Sequence, residues 1–215
     1  MPIVFETRFD GSDAVRYFQV SLVGFYLDSS RQHALRCLSE TEENNQLRES
    51  ISAVSFASMT IEALINESAE DLVPEVERRP FDKGYSPFNR PKGQTLVAFK
   101  YVMLVEKYKN EEVPEDIKDS IAWLIELRNK LVHYKPTDTA GKIILPPPVE
   151  TITPHGVMKT IDFMAEPKRI EPPLVAELNT ESAVRAYNTA RSTALHWTSI
   201  NGGAWDSDDF PVLSI

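Results

Sequence analysis

Apolar residues recur at helical spacing through most of the chain. The clearest run begins near residue 46, at intervals of three and four residues: Leu47, Ile51, Val54, Ser58, Ile61 and Ile65. This spacing predicts an amphipathic helix. Phe56, Met59 and Leu64 extend the apolar surface around most of the circumference, which is typical of a helix buried on most sides. We expect this helix at the centre of a bundle or shared with a second subunit.

The same pattern predicts four further helices. One covers residues 28–44, with an N-cap among residues 28–30 because Asp and Ser accept from free amides there. The next covers residues 95–109. Another follows Pro114, a residue that suits a first helical turn. The last, over about residues 180–197, has small side chains along its apolar stripe that permit close packing.

Three segments do not read as simple helices. Residues 1–27 fit either a hairpin or a helix, because aromatic and β-branched runs flank an Asp-Gly pair. Residues 74–93 hold four prolines and two glycines, which predicts a loop. Residues 136–173 hold eight prolines. Short extended pieces there, KIIL and VMKTIDFM, either pair as a small hairpin or wrap the surface.

The predicted fold class is therefore all-α. We expect an antiparallel bundle of four to five helices, with a proline-rich irregular or small β excursion between the last two helices. The N-terminal segment, residues 1–45, is expected to pack on the bundle. Residues 46–200 form the helical domain, which includes the proline-rich insertion at residues 136–178. Residues 201–215 form an irregular C-terminal tail.

Composition narrows the classes of function. The chain of 215 residues carries a formal charge of −9 and a single cysteine, Cys37. No apolar run reaches the roughly 20 residues that span a bilayer, and no basic and apolar leader begins the chain. We expect a cytoplasmic protein without a membrane segment, a metal or a cofactor. The acidic balance counts against a broad nucleic-acid surface but leaves room for a local cationic site.

Arg128 interrupts the apolar stripe of the helix after Pro114. That stripe contains Ile117, Ile121, Leu124 and Leu131, and register places Arg128 within it. A buried guanidinium requires a carboxylate or a ligand. Glu62 is the natural partner, because it interrupts the central helix in the same way. Asn66 follows it one turn later.

The same helix carries the stretch ELRNKLVHYKP, in which Asn129 and His133 share a face. Arg128 and His133 are five residues apart, about 140° around an ideal helix, so they do not converge within one. They converge either if the helix ends near His133, as Pro136 favours, or if two copies meet about a two-fold axis. Such a cleft has the groups for cleaving RNA without a metal, a proton carrier and a phosphate ligand.

The spacing alone is weak, because Arg191 and His196 repeat it in the last helix. That copy lacks the asparagine and the proline. We interpret it as a solvated helix face.

With its context, LRNKLVHYKP resembles the signature of the HEPN superfamily, and ISAVSFASMTIEALINE resembles the preceding helix of such proteins. The resemblance covers roughly residues 46–135. It implies a HEPN-like helical bundle that dimerises around a composite cleft. Many members are metal-independent endoribonucleases in toxin–antitoxin or antiviral systems, so the resemblance implies a homodimer, an RNA substrate, and an antitoxin or nucleotidyltransferase partner.

The resemblance also implies roles for particular residues. Arg128 and His133 are implied to be catalytic, with Asn129 orienting the histidine or the dimer contact and Glu62 supporting Arg128. Some HEPN toxins carry a modified tyrosine two residues after the histidine. Here that position is Lys135, and Tyr134 follows the histidine directly. The alternative is a non-catalytic HEPN-like binding or dimerisation module, in which Glu62 holds Arg128 for structural reasons.

Overall fold

A computed structural model describes residues 3–10, 13–161, 166–203 and 208–215, with side chains from residue 20 onward. The chain begins with an antiparallel hairpin of β1 (Ile3–Asp10) and β2 (Asp13–Val20), paired from Ile3–Val20 to Asp10–Asp13. The Asp-Gly turn itself lies partly outside the described residues. The sequence left open whether this segment forms a hairpin or a helix. The structure has the hairpin as far as Val20, and a helix begins at Val23.

Helix α1 (Val23–Ser39) begins five residues earlier than predicted. No side chain caps it, and the predicted N-cap among residues 28–30 is wrong. Ser30 is instead buried and donates to the Ala53 carbonyl at 3.0 Å, so it joins two helices. The N–H of Leu22 donates to the Glu67 carboxylate at 3.0 Å, which satisfies one of the amides free at the helix start.

Helix α2 (Glu43–Leu72) is the centre of the bundle. The Glu42 carboxylate accepts from the amides of Asn44 and Asn45 at 3.2 and 3.1 Å, which fixes its start. It packs against α1, against the helices that begin at Leu96 and Glu115, and against the final helix. The expected central position is confirmed.

Residues 74–93 are not entirely loop, as the prolines had suggested. Helix α3 (Glu75–Lys83) lies within them, with Pro80 in its interior. Two glutamates occupy its first turn, and Gly84 ends it with a left-handed φ of 63°. Phe81 is fully buried against the core. Burial of that ring offsets the hydrogen bond that proline removes, a contribution that local composition does not reveal.

The next two helices follow the predicted bounds. Helix α4 (Leu96–Met103) is capped by the Thr95 hydroxyl and continues as a π-helical segment, Leu104–Lys109. Helix α5 (Glu115–Val132) follows Pro114, with Glu115 and Asp116 in its first turn. These acidic groups suit the positive end of the helix dipole.

The proline-rich insertion contains two small sheets. Strand β3 (Lys142–Ile144) pairs with β6 (Lys168–Ile170), and β4 (Val149–Thr153) pairs with β5 (Gly156–Thr160). The extended pieces therefore do pair, but KIIL pairs with KRI and VMKT pairs with VETIT. All residues of β3, β5 and β6 are exposed.

The chain then returns to the bundle through α6 (Pro173–Glu177) and α7 (Thr180–Ile200). The described tail residues 208–215 lie against α7. Tyr187 donates to the Pro211 carbonyl at 2.9 Å, and the Asn188 amide exchanges two hydrogen bonds with the backbone of Leu213 at 2.8 and 3.1 Å. The tail is irregular, as predicted, but it is held in place.

The protein is mainly helical, with strands only at its N-terminus and in the insertion among the described residues. Five helices, α1, α2, α4, α5 and α7, supply most of the buried core. Leu27, Cys37, Ile61, Leu124 and Tyr187 are among its members. None of the described helices combines the length and apolar character that crossing a membrane requires.

Candidate functional site

The site lies where α5 ends beside the middle of α2. His133 is the C-cap of α5, with non-helical dihedral angles of φ −118° and ψ 27°. Its N–H donates to the Asn129 carbonyl at 2.9 Å, which closes the last helical turn. Pro136 follows three residues later, in a short 3₁₀ turn. The helix thus ends at the motif, as one of the two sequence hypotheses required.

Arg128 forms the predicted ion pair with Glu62, through Nη2 and Oε1. Its Nη1 donates to Oδ1 of Asn129 at 2.9 Å. The side chains of α2 and α5 are thereby joined by a carboxylate, a guanidinium and an amide in a row. This arrangement fixes the plane of the guanidinium more firmly than one contact would.

The pair is not buried as the helical register had suggested. The side chain of Arg128 is 24% exposed and that of Glu62 is 37% exposed. Leu124 and Leu127 are buried, and Arg128 lies on the same side of α5 but only four residues before the helix ends at Val132. An arginine there keeps its stem on the core and its charged end toward water.

The remaining motif residues are exposed. His133, Tyr134 and Lys135 lie on the surface just past the helix end. The Lys135 amide donates to the Asp138 carboxylate at 2.7 Å, which orders the turn. Among the described residues, the imidazole of His133 forms no hydrogen bond with Arg128 or with the amide of Asn129. The structure therefore brings Glu62, Arg128 and Asn129 together and leaves His133 nearby but separate.

A cavity of about 230 Å³ lies beside Glu62, between α2 and α4. Its lining combines apolar and polar side chains: Glu62, Ile65, Asn66, Leu96, Val97 and Lys100. Asn66 is exposed at its rim. The ammonium of Lys100 lies 2.7 Å from the Asp82 carboxylate. The α4 residues were not predicted as site residues, because a lysine within the apolar run LVAFKYV is no more than a weak signal by itself.

The second arginine–histidine pair is not a solvated face, and that interpretation is wrong. His196 is partly buried, and its Nδ1 lies 2.7 Å from the hydroxyl of the buried Tyr101. Arg191 donates through Nε to the Phe210 carbonyl of the tail. Both side chains thus hold α7 to its neighbours. Their partners lie elsewhere in the chain, so spacing within the helix gave no sign of them.

Burial lowers the pKa of His196 below its ordinary value of 6.5, because the imidazolium form loses hydration. The backbone of Glu112 and the carboxylates of Glu111 and Asp116 act in the opposite direction. The neutral imidazole is therefore the form that this environment favours. Burial also raises the pKa of Tyr101, so its hydroxyl stays protonated beside the ring.

Comparisons with protein-family models, with curated proteins and with solved structures find no match to this chain. Among the described residues, no three His, Cys, Asp or Glu side chains are grouped to hold a metal ion.

Proposed function

We propose that this chain is a metal-independent endoribonuclease of the HEPN type that acts as a homodimer. One observation carries the proposal: the guanidinium of Arg128 is held by Glu62 and Asn129 at the helix end where His133 is exposed. A guanidinium has five N–H donors, and these two contacts use two of them. At least three remain for a phosphate, and the partial exposure of Arg128 keeps them within reach.

The chemistry needs only groups that this site holds. His133 accepts the proton of a ribose 2′-hydroxyl, whose oxygen attacks the adjacent phosphorus. The bond from phosphorus to the 5′-oxygen breaks, and that oxygen takes a proton from a second histidine or from water. Arg128 stabilises the negative charge that develops on the phosphoryl oxygens. The products are a 2′,3′-cyclic phosphate and a 5′-hydroxyl.

The offset between Arg128 and His133 supports a site made from two copies. Five residues correspond to about 7.5 Å along a helix, and the two side chains do not share a face. A two-fold axis near the ends of the α5 helices would bring Arg128 of one copy toward His133 of the other. The second histidine of that cleft would supply the proton for the leaving oxygen.

The same resemblance extends the proposal to a toxin or antiviral effector in the cytoplasm, controlled by an antitoxin. A nucleotidyltransferase partner is the more specific version. It requires a tyrosine near the histidine, and Tyr134 is 58% exposed. Its position directly after His133, with Lys135 at the usual place, counts against that version.

The test is cleavage of RNA by purified protein in the presence of a chelator. Wild type is expected to cleave, and His133→Ala is expected to reduce the rate by about 10²-fold or more, the usual contribution of a general base. His155→Ala is the matched control, because His155 is also exposed but lies in the insertion. Equal activity in wild type and His133→Ala would reject the catalytic role.

A second candidate is a non-catalytic HEPN-like binding or dimerisation module. The observation that favours it is that Arg128 already has two protein partners, in a chain whose formal charge of −9 disfavours RNA. Under this candidate Arg128 only joins α2 to α5. Purified protein would then form dimers but would leave RNA intact at every chelator concentration.

A further inference from the structure

The cavity beside Glu62 has features of a base-binding site. We propose that it receives the adenine base of the nucleotide next to the cleaved RNA bond. This inference rests on the proposed ribonuclease function for its substrate and adds a base preference to it. The cavity, of about 230 Å³, is smaller than the 300–1,000 Å³ typical of sites for drug-sized ligands. It suits a single flat ring system better than a larger molecule.

The apolar part of the lining favours a base over a more hydrated group. Ile65 on α2 and Leu96 and Val97 on α4 supply this surface. Ile65 is buried, and the two α4 side chains are partly buried. A planar base inserted between the helices would cover the exposed parts of Leu96 and Val97. A sugar or a phosphate would gain nothing from the same contact.

Asn66 is the polar group free to read the base. Among the described contacts its amide has no hydrogen-bond partner, whereas Glu62 is paired with Arg128 and Lys100 with Asp82. A carboxamide matches adenine with two hydrogen bonds, in which Oδ1 accepts from the N6 amino group and Nδ2 donates to N7. This pairing gives the cavity a chemical reason to distinguish bases.

The carboxylate oxygens of Glu62 act in the same direction. Arg128 offsets their charge, but they can still accept a hydrogen bond from an amino group and have no hydrogen to donate to a carbonyl oxygen. Adenine has an amino group and no carbonyl oxygen, whereas guanine, cytosine and uracil each have at least one. The charge of Lys100, which would favour a carbonyl, is neutralised by Asp82 at 2.7 Å.

Glu62 also connects the cavity to the phosphate ligand. It lines the cavity and holds Arg128. Asn66 lies one helical turn farther along α2, a rise of about 6 Å. A single nucleotide bridges that separation, with its phosphate on Arg128 and its base against Asn66.

The first experiment maps cleavage sites in a pool of random RNA oligomers. Adenine is expected at one position beside the cut with at least about fivefold enrichment, the lower end of what one bidentate contact supplies. Asn66→Ala is expected to abolish the enrichment while cleavage continues. Asn44→Ala is the matched control, because Asn44 is exposed on the same helix, far from the cavity. Cleavage without adenine preference, or preference unchanged in Asn66→Ala, overturns the proposal.

The second experiment does not depend on cleavage. Full-length protein with labelled methyl groups is titrated with adenosine, guanosine, cytidine and uridine 5′-monophosphates. The adenosine compound is expected to shift the signals of Ile65, Leu96 and Val97 and to bind at least about fivefold more tightly than the others. Binding in protein that cleaves no RNA would keep the base site and reject the ribonuclease. Cleavage with no such shifts would do the reverse.

Discussion

Arg128 has a structural role and a proposed chemical role, and its environment indicates that it contributes modestly to the stability of the fold. Its ion pair with Glu62 is partly exposed, and such pairs contribute at most about 1 kcal/mol because water screens them. The guanidinium is therefore held in place at little expense to the fold. Substitution of Arg128 should therefore leave the protein folded, so its effect on RNA cleavage can be measured.

Arg128→Ala is accordingly expected to lower the melting temperature by about 2–4 °C, the effect of roughly 1 kcal/mol in a chain of this size. The value is read from circular dichroism on heating. Lys130→Ala serves as the control. Lys130 lies on α5, as Arg128 does, and its substitution removes an exposed ion pair with Glu177 of α6. A loss well beyond this range would mean that the pair is a structural clamp and would favour the non-catalytic module.

His196 gives the fold a dependence on acidity that the proposed site does not need. Its folded-state pKa lies below the ordinary value of 6.5, so the unfolded chain binds the proton more readily. The stability that the neutral ring contributes is complete above about pH 7. It is lost as the pH falls through 6.5 toward the lowered value.

Between pH 7.5 and pH 5, wild type is therefore expected to lose more in melting temperature than His196→Gln, which cannot take up the proton. Paired thermal scans at several pH values provide the measurement. His155→Gln should retain the wild-type slope, because His155 is exposed. Parallel curves for wild type and His196→Gln would show that the Tyr101 contact does not respond to pH.

At the scale of elements, the proline-rich insertion leaves the helical bundle and its strands pair only with each other. Its two sheets pair within the insertion, and their side chains are almost entirely exposed. Ile144 and Lys168 are paired at the point where the excursion leaves and rejoins β3 and β6. Side chains of β4 and β5 are therefore not part of the core of the bundle.

Replacement of residues 145–167 by Asn-Gly is expected to keep the bundle folded. Two residues of this type form the tight turn that antiparallel strands such as β3 and β6 require. The melting temperature should stay within about 2 °C, since the strands β4 and β5 that are removed are almost entirely exposed. Amide spectra of α2, α5 and α7 provide the second readout. A large loss of stability would show that the insertion supports the bundle.

For the whole molecule, the proposed composite cleft makes a prediction about mixtures. Arg128→Ala and His133→Ala are each expected to be inactive alone. If each site uses Arg128 of one copy and His133 of the other, mixed dimers regain one intact site. After exchange of subunits, half of the dimers are mixed, and water replaces the second histidine in their intact pair. The mixture should therefore cleave faster than either variant alone, at no more than about a quarter of the wild-type rate.

Concentration-dependent sedimentation of the wild type measures the dimer itself. No recovery in a mixture that is shown to exchange subunits would place both groups in one protomer. That result would leave the ribonuclease proposal intact but would remove the two-fold cleft. A purely monomeric protein would do the same.

Much of the fold was available from local spacing. The periodicity of residues 47–65 predicted a central helix, and α2 has that position. The predicted partner of Arg128 was also correct, because opposite charges that interrupt the apolar stripes of two packed helices attract each other even where they are partly exposed. Local spacing did not reveal α3, whose proline is tolerated because Phe81 is buried by residues distant in sequence.

The sequence by itself thus determined most of the helices and identified Glu62 and Arg128 as partners, since apolar periodicity and the charges that interrupt it can be read from local spacing. Only the tertiary structure decided how exposed that pair is, that Tyr101 holds His196, and that α4 closes a cavity against Glu62 and Asn66. These facts depend on how helices far apart in the chain pack together. A helix fixes its own apolar face, but its neighbours decide how much of that face they cover and which side chains on it meet water.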